Sequence, residues 1–276
     1  MKTLKNNTLL YDKDCPLCRV YTKSFVSCKL LDENGRSAYN ETAGNVLVHV
    51  DMARAKDEIA LVNHGENTVM YGIDGLIHIF THERNWLKKL LHAAPIYYII
   101  KFFYFFVSYN RKLIAPSKTM YGANDCSPSF NLFFRILYIA VTACITAICL
   151  SAFIQPVLAH FNMQSSNITE LVVVCGQLVS QGIVVGLVKK QRVMDYLGNM
   201  MTVSLIGGLL LIPAILIQAT FTVSVFFTLA YFALVVFTMF LLHMKRCKLL
   251  GLGYGITISW ILYRVLVLAA ITNFKF

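Results

Sequence analysis

The two halves of the chain carry different hydrophobic patterns. The first 130 residues alternate short apolar runs with polar segments, whereas residues 131–276 contain apolar runs of about twenty residues with few charges. At about 1.5 Å per helical residue, a run of that length crosses the roughly 30 Å hydrocarbon layer of a bilayer. The pattern predicts an α/β domain at residues 1–128, followed by an all-α transmembrane bundle of five helices at residues 129–276.

Basic residues between the apolar runs predict how the five spans are oriented. The runs are 136–158, 171–188, 193–217, 220–244 and 249–272. Alternate connections carry the basic residues Lys112, Lys118, Arg135, Lys189, Lys190, Arg192, Lys245, Arg246 and Lys248. Since Lys and Arg are retained on the cytoplasmic side, the amino-terminal domain is expected in the cytoplasm and the carboxyl end outside. We therefore expect a multi-pass membrane protein, as in a bacterial inner membrane.

The first half carries the periodicities of a small α/β domain. Strands are predicted at 7–11 and 46–50, and helices are predicted from Pro16 to about residue 31, at 52–62 and at 84–92. A hairpin of 68–71 with 76–80 is predicted at the Asp74-Gly75 turn signal. The order of strand, helix, strand, helix, strand, strand and helix is the thioredoxin-like succession.

An aromatic segment near residues 95–113 joins the two halves. Its core, APIYYIIKFFYFFVSY, is interrupted by Lys101 and is short for a membrane span. Tyr and Phe favour both the membrane interface and a protein core. The segment is therefore predicted to be an interfacial or docking helix, with a core helix of the soluble domain as the alternative.

Composition and charge narrow the class of protein. A chain that is 57% hydrophobic with a mean hydropathy of +0.61 is neither one large soluble enzyme, nor disordered, nor a disulfide-dense scaffold. The net charge of +11 divides into 16 − 12 = +4 for residues 1–130 and 9 − 2 = +7 for residues 131–276. The basic residues of the second half flank apolar runs, so the expected partner is the lipid bilayer and not nucleic acid.

The sequence Cys15-Pro16-Leu17-Cys18 follows the first predicted strand and opens the first predicted helix. A thiolate at a helix N-terminus is stabilised by free N–H groups and by the macrodipole. Cys15 is expected to be the more exposed thiol and the nucleophile, and Cys18 the resolving thiol. The pair predicts a redox-active disulfide without a further cofactor or metal, acting on a protein or small-molecule thiol or disulfide.

Two other interpretations of the cysteine pair remain open. Two cysteines are half of a zinc site, and His78 and His82 stand four residues apart after the predicted hairpin. The pair could also be two inert thiols.

The sequence Leu9-Leu10-Tyr11-Asp12-Lys13-Asp14-Cys15-Pro16-Leu17-Cys18 resembles the start of the DCC family of predicted thiol-disulfide oxidoreductases, named for Asp-x-x-Cys-x-x-Cys. The segments around Gly72-Ile73-Asp74-Gly75, Tyr109-Asn110-Arg111 and Cys126 are also similar, and the resemblance covers residues 8–128. It implies that Asp12, Cys15 and Cys18 are the functional residues. Asp12 is expected either to move a proton during exchange or simply to cap the helix.

One feature departs from thioredoxin and glutaredoxin, whose substrate groove contains a cis-proline. This chain has no proline between Pro16 and Pro95, and Met70 stands where that proline is expected. Glutathione recognition is therefore not implied, and the space beside the sulfur atoms keeps a metal-binding alternative open.

The apolar half offers weaker signals. Cys149 and Cys175 are at similar predicted depths and suggest an electron relay, although free cysteines are common in apolar interiors. Arg264 lies inside the last predicted span, where a charge usually has a partner or reaches the interface. Gly182 and Gly186 form a G-x-x-x-G motif that favours close helix packing, within the chain or in an oligomer.

These observations favour a membrane-anchored thiol-disulfide oxidoreductase that faces the cytoplasm. The alternative is a membrane transport or assembly protein whose thioredoxin-like domain is a non-catalytic binding or metal-sensing module.

Overall fold

The structure is a computed structural model that describes residues 3–42, 49–117, 128–160 and 166–274. Its contacts divide the chain into two compact units, Met1–Phe134 and Arg135–Phe276. The first unit contains a small mixed sheet with helices, and the second consists of long apolar helices.

A four-stranded sheet forms the centre of the first unit. Its strands are β1 (Asn7–Tyr11), β2 (Arg36–Ala38), β3 (Ala60–Asn63) and β4 (Thr68–Tyr71), in the order β2-β1-β3-β4. β1 pairs with β2 in parallel and with β3 in antiparallel, and β3 pairs with β4 in antiparallel. β1 has a neighbouring strand on both sides, and Leu9 and Leu10, which point to opposite faces of the sheet, are completely buried.

Successive residues of the central strands supply two hydrophobic clusters, as the alternation of side chains along a strand requires. Leu9 and Leu61 join Leu31 and Ile79 in one cluster. Leu10 and Val62 belong to the other, with Tyr39 and Val50 among its members. Both β1 and β3 are therefore covered on each face, which fixes the position of the loop that follows β1.

Five α-helices accompany the sheet in the described residues of this unit. They are α1 (Pro16–Ser27), α2 (Met52–Asp57), α3 (Gly72–Thr81), α4 (Asn85–Leu91) and α5 (Ala94–Ile114). α1 opens with Pro16, whose fixed φ and missing N–H suit the first helical position. α2 opens at Asp51, whose side chain accepts hydrogen bonds from the N–H groups of Ala53 and Arg54.

The predicted hairpin of 68–71 with 76–80 is wrong, because residues 72–81 form α3 and the partner of β4 is β3. Gly72 adopts φ +58°, which ends β4 and turns the chain directly into the helix. Buried positions at Ile73, Gly75, Ile77 and Ile79 imitate the two-residue period of a strand. That coincidence explains the error.

Two other boundaries also differ from the prediction. The helix expected at 52–62 ends at Asp57, because residues 60–63 form β3. Of the strand expected at 46–50, residues 46–48 lie outside the described residues, while His49 and Val50 are not in a strand. The parallel neighbour of β1 is β2 at Arg36–Ala38.

The aromatic segment forms α5. Its 21 residues extend about 31 Å, so the helix is longer than the aromatic core, which by itself is short for a membrane span. One side is bonded to the α/β unit: Tyr104 Oη accepts from the N–H of Ile59 at 2.9 Å, and Ser108 Oγ donates to the carbonyl of Asp57 at 2.5 Å. Another side exposes Tyr98 and Phe103. α5 therefore docks on the sheet domain while presenting aromatic rings outward.

The second unit contains α6 (Leu132–His160), α7 (Asn167–Lys189), α8 (Val193–Thr220), α9 (Val225–Leu249) and α10 (Tyr254–Phe274). Within the described residues, three helical runs are long and apolar enough to cross a membrane: Leu132–His160, Asn167–Thr220 and Val225–Leu249. The pair of α4 and α5, bent by 76°, would be a fourth. These helices have the character of a membrane protein.

The 54-residue run Asn167–Thr220 folds back on itself. α7 and α8 are separated by a short 3₁₀ turn at Lys190–Arg192. Tyr196 Oη donates to Gln181 Oε1 at 2.7 Å, although residues fifteen positions apart in a straight helix would lie about 22 Å apart. The G-x-x-x-G motif lies in this hairpin, since a Cβ added at Gly182 or Gly186 would be 3.8 Å from side chains of α8. Those glycines therefore serve a contact within the chain.

Candidate functional site

The candidate site begins at the turn between β1 and α1. The carbonyl of Asp12 accepts from the N–H of Cys15 at 3.2 Å, and Asp12 Oδ1 accepts from the N–H of Asp14 at 2.9 Å. These bonds close a tight turn that brings Cys15 to the N-cap position in an extended conformation. The side chain of Asp12 therefore shapes the turn, and the N-cap of the helix is Cys15 itself.

The two cysteines of the motif are hydrogen-bonded to each other. The N–H of Cys18 donates to Cys15 Sγ at 3.3 Å, a bond that replaces the usual oxygen cap of a helix. Both cysteines are free thiols. The structure thus brings Asp12, Cys15 and Cys18 together within one turn and the first turn of one helix.

The environment gives the two thiols opposite acidities. A hydrogen bond from the Cys18 thiol, the Cys18 N–H and the positive charge of Arg111 outweigh burial and lower the pKa of Cys15 to about 7. The same thiol–thiol bond, together with burial, raises the pKa of Cys18. At neutral pH about half of the Cys15 population is therefore thiolate, while Cys18 keeps its proton.

The expectation that Cys15 is the exposed thiol is wrong. Cys15 and Cys18 are each only 3% exposed, and Asp12 is 7% exposed. Cys15 caps the helix with its side chain turned inward to the N–H of Cys18, so its place at the helix end does not expose it. A reagent reaches Cys15 only after a local opening of this region.

Arg111 is a member of the site to which sequence reasoning assigned no role. It is buried near the end of α5, and its Nη2 donates to the carbonyl of Lys56 at 2.8 Å. Its charge acts on Cys15, on Cys18 and on Asp12. In the sequence, Arg111 was visible only as a basic residue near the end of the aromatic helix, in the segment Tyr109-Asn110-Arg111. Only the fold brings that segment to the cysteines.

A second arginine anchors α1 to the sheet beside the site. Arg36 on β2 donates to Tyr11 Oη at 3.1 Å and to Thr22 Oγ1 at 3.3 Å, and its guanidinium lies 4.7 Å from the Tyr11 ring centroid. Thr22 in turn donates to the carbonyl of Cys18 at 2.7 Å. These contacts hold the first two turns of α1, and therefore both thiols, against β1 and β2.

An open groove of about 730 Å³ follows the outer face of α1. It starts at Pro16, the residue next to Cys15, and includes the basic side chains of Arg19, Lys23 and Arg36. Glu33 is its acidic member. A chain lying in this groove would therefore meet a mostly positive surface adjacent to the candidate nucleophile.

Other candidate residues lie elsewhere. His78 lies on α3 and His82 follows it, and in the described parts of the chain no group of three or more His, Cys, Asp or Glu residues could hold a metal ion. Cys126 is outside the described residues.

The structure gives the predicted relay between Cys149 and Cys175 no support. A Cβ added at Gly208 on α8 would be 3.8 Å from Cys149 Sγ, so Cys149 packs toward α8. Cys175, on α7, is an exposed free thiol. Arg264, on α10, is within electrostatic reach of Glu170 at the start of α7.

No protein-family model, curated protein or solved structure matches this chain.

Proposed function

We propose that the chain is a membrane-anchored thiol-disulfide oxidoreductase of the DCC type, with Cys15 as nucleophile and Cys18 as resolving thiol. The observation that carries the proposal is the bond of 3.3 Å from the Cys18 N–H to Cys15 Sγ at the start of α1. This N–H stabilises negative charge on the sulfur that must attack.

The exchange is a pair of thiolate displacements. The Cys15 thiolate attacks one sulfur of a substrate disulfide, forms a mixed disulfide and expels the other sulfur as a thiolate, which takes up a proton from solvent. Cys18 then loses its proton, attacks the sulfur of Cys15 and releases the second substrate thiol. Two electrons pass to the substrate, the chain retains a Cys15–Cys18 disulfide, and an external dithiol or thiol reduces that disulfide again.

Asp12 is the proposed acceptor of the Cys18 proton. It is buried next to both thiols in the turn, and its negative charge acts on Cys18. A carboxylate in that position draws the proton away as Cys18 begins its attack. Arg111 offsets the accumulated negative charge, since it acts on Asp12 and on both sulfur atoms.

A thioredoxin-like fold of the first unit is part of the proposal. In its support, β1, α1 and β2 form a parallel strand–helix–strand unit, the antiparallel pair β3 and β4 follows, and the cysteine motif opens the first helix. The five helices α6 to α10 are proposed as five spans that anchor this unit, with the basic ends of α7 and α9 in the cytoplasm.

The proposal requires the site to open. Attack on a disulfide needs the incoming sulfur in line with Cys15 Sγ, and a side chain that is 3% exposed leaves no such approach. The closed arrangement is therefore a resting state in which Arg111 and the neighbouring backbone shield the thiolate, and substrate binding in the groove beside Pro16 is the proposed trigger for opening.

The test is turnover of a model disulfide by the full-length chain in detergent micelles. Replacement of Cys15 by Ser should abolish reduction, and Cys18→Ser should leave a stable mixed disulfide on Cys15. Cys28→Ala is the matched control, because Cys28 is an exposed free thiol at the end of the same helix. Unchanged turnover by the Cys15 variant would remove the mechanism.

A second function is favoured by the burial of both sulfur atoms: a transport or assembly protein in which the first unit is a non-catalytic binding or metal-sensing module. In that case the thiols never form a disulfide with substrate. The Cys18→Ser variant, incubated with a disulfide-containing peptide, distinguishes the two functions, because only an oxidoreductase yields a covalent adduct on Cys15.

A further inference from the structure

A buried polar cluster joins four helices of the second unit. His243 on α9, Tyr196 on α8 and Gln181 on α7 are each no more than 1% exposed, and Thr257 on α10 is 3% exposed. His243 lies in a helical run apolar enough to cross a membrane. An ionisable side chain at such a position is costly to retain unless it has a partner or a function.

Both ring nitrogens of His243 have an oxygen partner. Nε2 is 3.0 Å from Tyr196 Oη, and Nδ1 is 3.1 Å from Thr257 Oγ1. Cys247 Sγ is 3.6 Å from Nδ1 and 3.9 Å from Nε2. Because the sulfur is almost equally far from the two nitrogens, it is not in line with either N–H bond. The hydroxyl groups are therefore the hydrogen-bond partners of the ring.

The bonds of this cluster can accept a second proton on the imidazole without moving a heavy atom. In the neutral ring, Nε2–H donates to Tyr196 Oη, and the Thr257 hydroxyl donates to Nδ1. When Nδ1 is also protonated, rotation of the Thr257 hydroxyl makes its oxygen the acceptor. Tyr196 keeps its own acceptor throughout, because its hydroxyl donates to Gln181 Oε1 at 2.7 Å. Each N–H of the cation thus has an oxygen partner.

The surroundings act on the cation in opposite directions: burial in the apolar unit and the charge of Arg246 oppose it, and the face of Trp260 favours it. The Trp260 ring is stacked on His243 with centroids 4.8 Å apart and planes at 17°, which places an electron-rich face against the imidazolium. Arg246, on the same helix, donates to Asn199 Oδ1 at 2.7 Å and repels a second positive charge nearby. Tyr196 and Cys247 are the other titratable groups against the ring, whereas α7 and α10 contribute the uncharged Gln181, Thr257 and Trp260.

We propose that His243 is a reversible proton-binding site inside the apolar unit, with Tyr196 and Thr257 holding the protonated ring. Its ligand is a proton from the aqueous phase, and the reaction is the addition of that proton to Nδ1. This inference is independent of the thiol chemistry, because its residues belong to the second unit, whereas Cys15 and Cys18 belong to the first.

Trp260 provides the readout, because a protonated imidazole quenches the fluorescence of an indole stacked on it. The chain has two tryptophans, and the other, Trp86, is exposed on α4. In full-length Trp86→Phe protein in detergent micelles, fluorescence should fall reversibly as the pH is lowered from about 8 to about 4, as one protonation step. His160→Asn is the matched control, since His160 is an exposed histidine at the end of α6. The fluorescence titration of that variant should be the same as that of the Trp86→Phe protein.

Variants of the partners test the geometry. His243→Asn should abolish the fluorescence step. Tyr196→Phe and Thr257→Val should each lower the proton affinity by about tenfold, because each removes an acceptor of the cation. Arg246→Gln should raise it. Fluorescence that does not change with pH in the folded Trp86→Phe protein, or an unchanged pH midpoint in both hydroxyl variants, overturns the proposal and leaves a purely structural polar cluster. The two hydroxyl variants keep the test valid if His243→Asn does not fold.

Discussion

Removal of the Cys18 thiol is the perturbation whose effect on Cys15 follows most directly from the structure. The largest cause of the lowered pKa of Cys15 is the hydrogen bond from Cys18, which helps bring it from the ordinary 9.0 to about 7. Two pKa units correspond to about 2.7 kcal/mol between the protonation states. At pH 7 about half of the Cys15 population is thiolate, whereas an ordinary thiol would be about 1% ionised.

Cys18→Ala removes the thiol donor and keeps the Cys18 N–H and Arg111, which also lower the pKa of Cys15. We therefore expect the pKa of Cys15 to rise by about one to two units, and its alkylation at pH 7 to slow by about 5-fold to 50-fold. Cys18→Ser is the matched control, because its hydroxyl still donates to the sulfur and the rise should be smaller.

The assay is the pH profile of iodoacetamide alkylation of the reduced full-length chain, resolved by peptide mass spectrometry. Cys28, exposed at the end of α1, is followed in the same samples as the internal reference. Local opening scales the rate at every pH and does not move the midpoint, so burial of Cys15 does not obscure the result. The same midpoint in Cys18→Ala and in the unsubstituted chain would refute the assigned role of the thiol–thiol bond.

Four further outcomes follow from the structure. Arg111→Gln should raise the pH midpoint of Cys15 alkylation, whereas Arg111→Lys should retain part of the effect; equal midpoints in all three chains would remove Arg111 from the site. The unfolding free energy of the reduced chain, measured with urea, should rise by at most about 1.4 kcal/mol per pH unit from pH 7 to pH 9, because the pKa of Cys15 is lower in the folded chain than in the unfolded chain. Above pH 9 it should fall, because the raised pKa of Cys18 prevents ionisation of that thiol in the folded state. A profile identical to that of Cys15→Ser would contradict both expectations. Gly72→Ala should destabilise the chain by about 1–3 kcal/mol in the same urea titration, since φ is +58° there and a Cβ would collide with Glu58, and an effect below about 0.5 kcal/mol would show that the turn relaxes. Alkaline phosphatase fused to the carboxyl end should be active, and a fluorescent protein fused at the same place should be dark, because the proposed orientation places the carboxyl end outside the cytoplasm. The reverse pattern would refute five spans in that orientation.

Local sequence patterns were sufficient for the strand that precedes the cysteine motif and for the start of the helix that contains it. β1 was predicted at its observed residues, because NTLLY is an apolar run that ends at a turn. α1 was predicted to open at Pro16, because proline has a preferred place in the first turn. α3 was missed, because Gly75 and three isoleucines bury alternate positions in a helix. β3 was missed, because four residues directly after a helix carry too little periodicity to show where the helix ends.

The members of the site that the sequence did not reveal are defined by long-range contacts. Arg111 acts on thiols that are far from it in sequence, through the docking of α5 on Ile59 and Asp57. The burial of Cys15 depends on the inward turn of its side chain, which no hydrophobic pattern records. For the same reason, the cluster around His243 is a property of helix packing, not of composition.

The central claim is that Cys15 and Cys18 interconvert between a dithiol and a disulfide. The most direct test is an equilibrium redox titration of the full-length chain in buffers of defined potential, with the Cys15–Cys18 peptide quantified by mass spectrometry. The account predicts one reversible transition with a two-electron slope of about 30 mV per tenfold change in the ratio of the two forms. A pair that remains as two thiols from strongly reducing to strongly oxidising buffer would contradict it.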